Sequence, residues 1–176
     1  MQFVESALKG AFVVEPERLP DERGFFSRTW STREFAEHGL DARLAEVNIS
    51  FNHRKGTLRG MHFQRAPHGQ PKLVRCTMGA IWDVVVDLRR DSPTFKRWIG
   101  VELTERNRRM LYVPAEFAHG FQTLEDETEV VYQMSTPYAP DAAGGVRWND
   151  PAFAIDWPDA PSVICERDRT YPDFVA

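Results

Sequence analysis

The chain has 176 residues, 42% hydrophobic and 27% charged, with a formal net charge of −4. This composition suits a globular protein with one domain over residues 1–176, and the acidic balance argues against nucleic acid or an anionic membrane as partner. No apolar run is long enough to cross a bilayer, and Met1-Gln2-Phe3-Val4-Glu5 lacks the basic region and apolar stretch of a secretory signal, so the expected location is the cytoplasm.

In chain order, Ala11-Phe12-Val13-Val14 reads as a strand ending at Pro16. Asp21-Glu22-Arg23-Gly24 reads as a turn before the apolar Phe25-Phe26. Ser31 is placed to cap a helix, with Glu34 three residues on as in a capping box and Gly39 as the stop signal. From Leu44 the pattern changes to short strands, expected at 45–52, 57–64, 71–78, 80–88, 97–103, 108–113, 119–124 and 128–135. Their spacing of roughly ten residues, with turn residues between, argues for an all-β sandwich or barrel. Pro137, Pro140 and Gly144-Gly145 mark a long loop. The tail from Trp148 reads as packed but irregular, with Ser162 expected to cap a last helical turn carrying Glu166, Arg167 and Asp168.

Alternation along a strand separates the side chains of 81–88 into two sets. Trp82, Val84, Val86 and Leu88 form one apolar face. Ile81, Asp83, Val85 and Asp87 form the other, where two acids suggest either a partly polar cavity or a solvated face. The stretch Gly56-Thr57-Leu58-Arg59-Gly60-Met61-His62-Phe63-Gln64 has a different conflict. Arg59 and His62 are an odd number apart, so a regular strand sends them to opposite faces. A bulge at Gly60 would bring both into one pocket.

The polar residues that gather on these strands and turns include a histidine suited to proton transfer near neutral pH, a tyrosine acid and several cations. His62 alone is equally compatible with a core histidine satisfied by a neighbouring backbone group. Cys76 and Cys165 lie far apart, read as reduced thiols, and form no Cys-x-x-Cys motif. His53, His62, His68 and His119 include no His-x-His pair, so neither a metal nor another cofactor is expected. His53 and His68 are expected in turns, and His38 at a helix end.

Seven blocks occur in order: Asp21–Phe26, Gly56–Gln64, Lys72–Cys76, Asp83–Arg89, Ser92–Phe95, Pro114–Phe121 and Trp148–Pro151. Together they resemble the dTDP-4-dehydrorhamnose 3,5-epimerase family over nearly the whole chain. The resemblance implies a cupin-type jelly-roll β-barrel with short peripheral helices and no catalytic metal. It also implies a homodimer in which N-terminal strands cross to the partner. The implied substrate is a nucleotide-linked 4-keto-6-deoxyhexose, epimerised at C3, C5 or both through an enolate. In this family pattern His62 is the base, Asp168 its orienting acid, Tyr132 the acid on the opposite face and Lys72 the cation at the enolate oxygen. Asn48, Arg59, Gln64, Asp83, Tyr138 and Arg167 belong to the substrate pocket, and Arg23 and His119 to the pyrophosphate. The chain departs from the pattern at Arg28, Glu46 and Ala143, around the nucleotide, which raises the expectation of a different base such as GDP or CDP. Two alternatives stay open: a keto-sugar 3,4-isomerase on the same fold, and a non-catalytic sugar-nucleotide binding protein.

Overall fold

The computed structural model describes residues 1–175. Fourteen strands and two short α-helices are built from the local signals. The strands are β1 (Gln2–Glu5), β2 (Phe12–Glu15), β3 (Arg18–Asp21), β4 (Gly24–Ser27), β5 (Glu46–Asn52), β6 (Thr57–Gln64) and β7 (Lys72–Met78). They continue with β8 (Ala80–Asp87), β9 (Trp98–Thr104), β10 (Met110–Val113), β11 (Phe117–Thr123), β12 (Thr128–Met134), β13 (Ala143–Gly145) and β14 (Val163–Ile164). Helix α1 spans Thr32–Glu37 and α2 spans Glu166–Arg169.

One sheet runs β1-β2-β10-β7-β12-β5 and the other β13-β6-β11-β8-β9, with β14 added in parallel to β6. The two sheets enclose a core that includes Ile81, Val85, Phe117 and Phe121 from one side and Val74, Cys76, Leu111 and Val130 from the other. Burying each such side chain contributes roughly 1.5–3 kcal/mol. The architecture is the all-β, cupin-type jelly roll with small peripheral helices. All eight strands expected from residue 45 onward are present within two residues of their expected ends.

The alternation along β8 decides where its acids go. Ile81 and Val85 enter the core between the sheets, and Asp83 and Asp87 share their face. The apolar set Trp82, Val84, Val86 and Leu88 packs outside that barrel, beneath Phe153, Trp157 and Phe174 of the tail. Asp87 is used structurally: it accepts hydrogen bonds from Arg89, Ser92 and Thr94. Those bonds, set against its burial, bring its carboxyl down to about 2.

Several expectations are corrected. Ser31 caps α1 by accepting the Glu34 backbone N–H at 3.3 Å. The Glu34 carboxylate does not complete a capping box; it holds the N-terminal ammonium at 2.9 Å and Arg28 at 3.2 Å. Ser162 does not cap the last turn. Cys165 occupies that N-cap position, and Ser162 instead donates its hydroxyl to the Lys55 carbonyl. The turn at Asp21–Gly24 is the tip of a separate hairpin, β3–β4. Strand β1 pairs with β2, and β2 pairs with β10 of the same chain. The hairpin is therefore the N-terminal piece left outside the main sheets. Its Leu19 and Phe26 are exposed. No helix among the described residues is long and apolar enough to cross a membrane.

Candidate active site

The bulge in β6 shapes the site. Arg59 pairs with Phe121 and His62 with His119, so three steps on β6 face two on β11. Gly60 takes up the extra residue at φ +131, and a Cβ there would stand 2.5 Å from the Gly120 Cα. Only glycine suits both the conformation and the approach. The shift turns Arg59 and His62 to the same side, and both line one cavity of about 510 Å³.

The buried backbone amide of the bulge also fixes the tail. Gly60 N–H donates to Asp168 Oδ2 at 2.9 Å, while Asp168 Oδ1 lies 2.7 Å from His62 Nε2. A carboxylate can only accept, so this contact favours the proton on Nε2 and an unprotonated Nδ1, with Arg167 Nη2 also 3.2 Å from Nε2. Arg167 Nε donates to the same Oδ1 at 3.2 Å. Burial on its own would raise the Asp168 carboxyl, but its bonds to His62, Gly60 and Arg167 prevail and bring it down to about 2. It is a fixed negative charge behind a half-buried imidazole.

Tyr132, on β12, enters from the opposite sheet. Its hydroxyl meets Ser50 Oγ on β5 at 3.1 Å, and burial pushes the phenol above its ordinary range, so it stands protonated. Lys72, at the start of β7, lines the cavity but is otherwise buried. Burial pushes its ammonium down to about 8 against the attraction of Asp83. An imidazole, a protonated phenol and a poorly solvated ammonium thus surround one volume, the groups that enolate chemistry would use.

The remaining residues divide. Asn48, Arg59, Gln64, His119, Tyr138 and Arg167 line the cavity with the four above. The polar atoms of Gln64, however, are used on the adjoining loop. Its amide donates to the carbonyls of His68 and Pro137 and accepts the Ala139 N–H. It holds the loop that carries Tyr138 instead of reaching inward. Asp83 is not in the wall. It lies fully buried behind His119, whose Nε2 it holds at 2.7 Å. Its part is to orient His119, because a strand facing the core places it one layer deeper than the cavity. His119 is 4% exposed, at the floor between His62 and Tyr132. Burial favours its neutral ring, against the pull of Asp83. Arg23 is far from this group, on the hairpin tip, paired with Asp21 at 2.6 Å and 83% exposed.

The departures at the nucleotide positions also separate. Arg28 pairs with Glu34 outside the cavity wall. Glu46 stands at the rim, accepting the Tyr138 N–H at 3.1 Å and the Asn48 amide at 3.5 Å. Ala143 lies in the wall. Ser50 and Asn52 were not singled out from sequence, although their alternation with Asn48 on β5 carries the signal. Asn52 holds Arg59 Nε at 2.7 Å. Tyr171 also lines the cavity, edge-on to His62, and has no local sequence signal. A Cβ at Gly145 would run into its ring. Among the described residues there is no group of three or more His, Cys, Asp or Glu placed to hold a metal ion.

Comparisons with known proteins show the family. The family model for dTDP-4-dehydrorhamnose 3,5-epimerase matches residues 5–175. A protein of that name from Methanothermobacter thermautotrophicus is 44% identical over 97% of this chain and 92% of its own length. The crystal structure of the Elizabethkingia anophelis enzyme superimposes with a TM-score of 0.95 at 39% identity, covering 99% of this chain and 96% of its own. The Bacillus anthracis enzyme, crystallised with TDP and PPi, gives 0.94 at 40% identity, with 98% and 99% covered. The chain belongs to the dTDP-4-dehydrorhamnose 3,5-epimerase family and is a sugar epimerase of deoxysugar biosynthesis.

Proposed function

We propose that the chain inverts both C3 and C5 of a dTDP-linked 4-keto-6-deoxyhexose, with His62 as base and Tyr132 as acid. The supporting observation is that His62, held by Asp168 of α2, and the Tyr132 hydroxyl come from opposite sheets into the same cavity as Lys72. The hydrogens at C3 and C5 are acidic because each is α to the C4 ketone. His62 Nδ1 takes one of them. The electrons move to the C4 oxygen, where the Lys72 ammonium opposes the new charge. Tyr132 returns a proton to the opposite face of the carbon. Neutral His119 adds a fixed polar wall, and Arg59 and Arg167 favour the anionic end of the substrate. No redox step is needed.

The dTDP assignment rests on the named relatives and on Glu46 being engaged with Tyr138 and Asn48. Calorimetry with dTDP, GDP and CDP tests it. Tightest binding of GDP or CDP would restore the expectation of another base.

We further propose a single epimerase domain that works as a cytoplasmic homodimer. On the outer face of the edge strand β5, Val47, Ile49 and Phe51 are exposed. Exposed apolar residues in alternation favour cover by a second copy. The hairpin would then carry Arg23 to the partner's cavity. Light scattering that finds a monomer at micromolar concentration would reject this.

The chemistry is tested in deuterium oxide with the 4-keto-6-deoxy sugar nucleotide. Incorporation at C3 and C5 is expected. Label at one carbon means a mono-epimerase, a carbonyl moved to C3 means the 3,4-isomerase, and no label means a binding protein. His62→Ala should nearly abolish exchange while nucleotide binding persists; exchange at the wild-type rate would remove His62 as base.

A further inference from the structure

Tyr132 has a difficulty that its position creates. It is half-buried against the core, and among the described residues its hydroxyl has one hydrogen-bond partner, Ser50 Oγ at 3.1 Å. Once the phenol has given up its proton, a bare phenolate would be left with little water around it, and the next turnover needs the proton back. Ser50 sits where that need can be met. It lies on the edge strand β5, half-buried, with both its side chain and that of Tyr132 in the cavity wall. The neighbouring inward residue of the same strand, Asn52, holds Arg59 Nε at 2.7 Å. The inner edge of β5 thus braces two functional side chains.

We propose that Ser50 is the positioning and proton-relay residue of Tyr132: its hydroxyl aims the phenol at the carbon to be protonated and then reloads it from cavity water. This rests on Tyr132 being the acid of the epimerase reaction. In the forward step a C–H bond forms as the Tyr132 O–H bond breaks. In the reloading step the Ser50 proton passes to the phenolate oxygen while a protonated water gives its proton to Ser50 Oγ. The proton that His62 took from the substrate returns to water, so each cycle balances with no other reactant.

The test separates proton removal from inversion. In deuterium oxide, Ser50→Ala should still wash deuterium into unreacted keto-sugar through His62, while formation of the inverted product falls about tenfold or more. Ser50→Thr, which keeps the hydroxyl, should restore most of the inversion rate. Inversion at the wild-type rate in Ser50→Ala would overturn the proposal. So would equal loss of exchange and inversion in Ser50→Ala with no recovery in Ser50→Thr, because that pattern marks a purely structural role. Wild-type protein that exchanges nothing would instead reject the acid–base assignment on which the relay depends.

Discussion

Two histidine–aspartate pairs stand side by side in this barrel, and they are built alike. His62 and His119 face each other across the β6–β11 ladder, and each has Nε2 2.7 Å from a carboxylate oxygen. Their surroundings differ. The His62 side chain is 34% exposed and that of His119 is 5% exposed. Asp168 is tied by His62, Gly60 and Arg167, whereas Asp83 Oδ2 is buried with no hydrogen-bond partner. The same contact therefore supports two kinds of chemistry. His62 can exchange protons with whatever fills the cavity. His119 is kept neutral by burial and is a fixed wall. Access and the partners of the second carboxylate oxygen decide the role, not the His–Asp distance.

The strongest way to break the first pair is Asp168→Asn. The shape is kept, but the charge that selects the Nε2–H form is lost. Turnover should fall about 10³-fold, with substrate affinity little changed. Steady-state kinetics would detect this, and a loss under tenfold would show that Asp168 is only a scaffold. Gly60→Ala attacks the same pair through the backbone. At φ +131, with Gly120 against the new methyl group, it should cost about 3 kcal/mol of stability and displace Asp168. Urea unfolding measures the cost. Wild-type stability would mean that the bulge tolerates a side chain.

The two pairs also differ in how readable they were. Turn spacing and alternation marked the strands because a jelly roll repeats a local, period-two pattern. The odd spacing of Arg59 and His62 around Gly60 even marked the bulge, since only an extra residue reconciles it with one pocket. Asp83 was legible as inward-facing, but alternation cannot tell a cavity wall from a layer behind it. Gln64 lines the cavity, but its polar contacts were not legible, for a related reason. Its face was correct, yet its amide is occupied by the carbonyl of His68, four residues on, and by that of Pro137, in a loop 73 residues away. Ser50 shared its alternation with Asn48, but a serine in a strand carries no chemical signal until Tyr132 is seen against it. Tyr171 and the cap at Cys165 belong to an irregular tail, where no period applies.

Lys72 sharpens the second pair, because it stands in the field of Asp83. Its folded value of about 8 lies below the ordinary 10.5. The unfolded chain therefore binds the proton more tightly, and burying the charge costs stability below pH 8. That cost fades as the pH rises from about 8 to 10.5. Lys72→Met should accordingly raise stability at pH 7 by about 2 kcal/mol, and the gain should vanish near pH 10.5. The same variant should lose turnover, since nothing then opposes the enolate charge. Denaturant unfolding at the two pH values checks the sign; a variant less stable at pH 7 would mean that the ammonium is well satisfied in the fold.

Asp83→Asn is the finest probe. If Asp83 served as His62's acid does, removing its charge would cut the rate at every pH. Here its charge instead helps to keep Lys72 protonated and its oxygen holds a neutral ring. The expected change is then a displacement, not a collapse. The alkaline limb of kcat/KM, set by loss of the Lys72 proton in the free enzyme, should move from about 8 to lower pH. A displacement of about one unit costs about fivefold at pH 8 and only about a tenth of the rate at pH 6. His119 does not produce this limb, because its pKa is lowered below the usual histidine range. A pH–rate profile distinguishes the cases: uniform loss at pH 6 and pH 8 would make the buried pair a second proton-transfer dyad and erase the contrast with His62–Asp168.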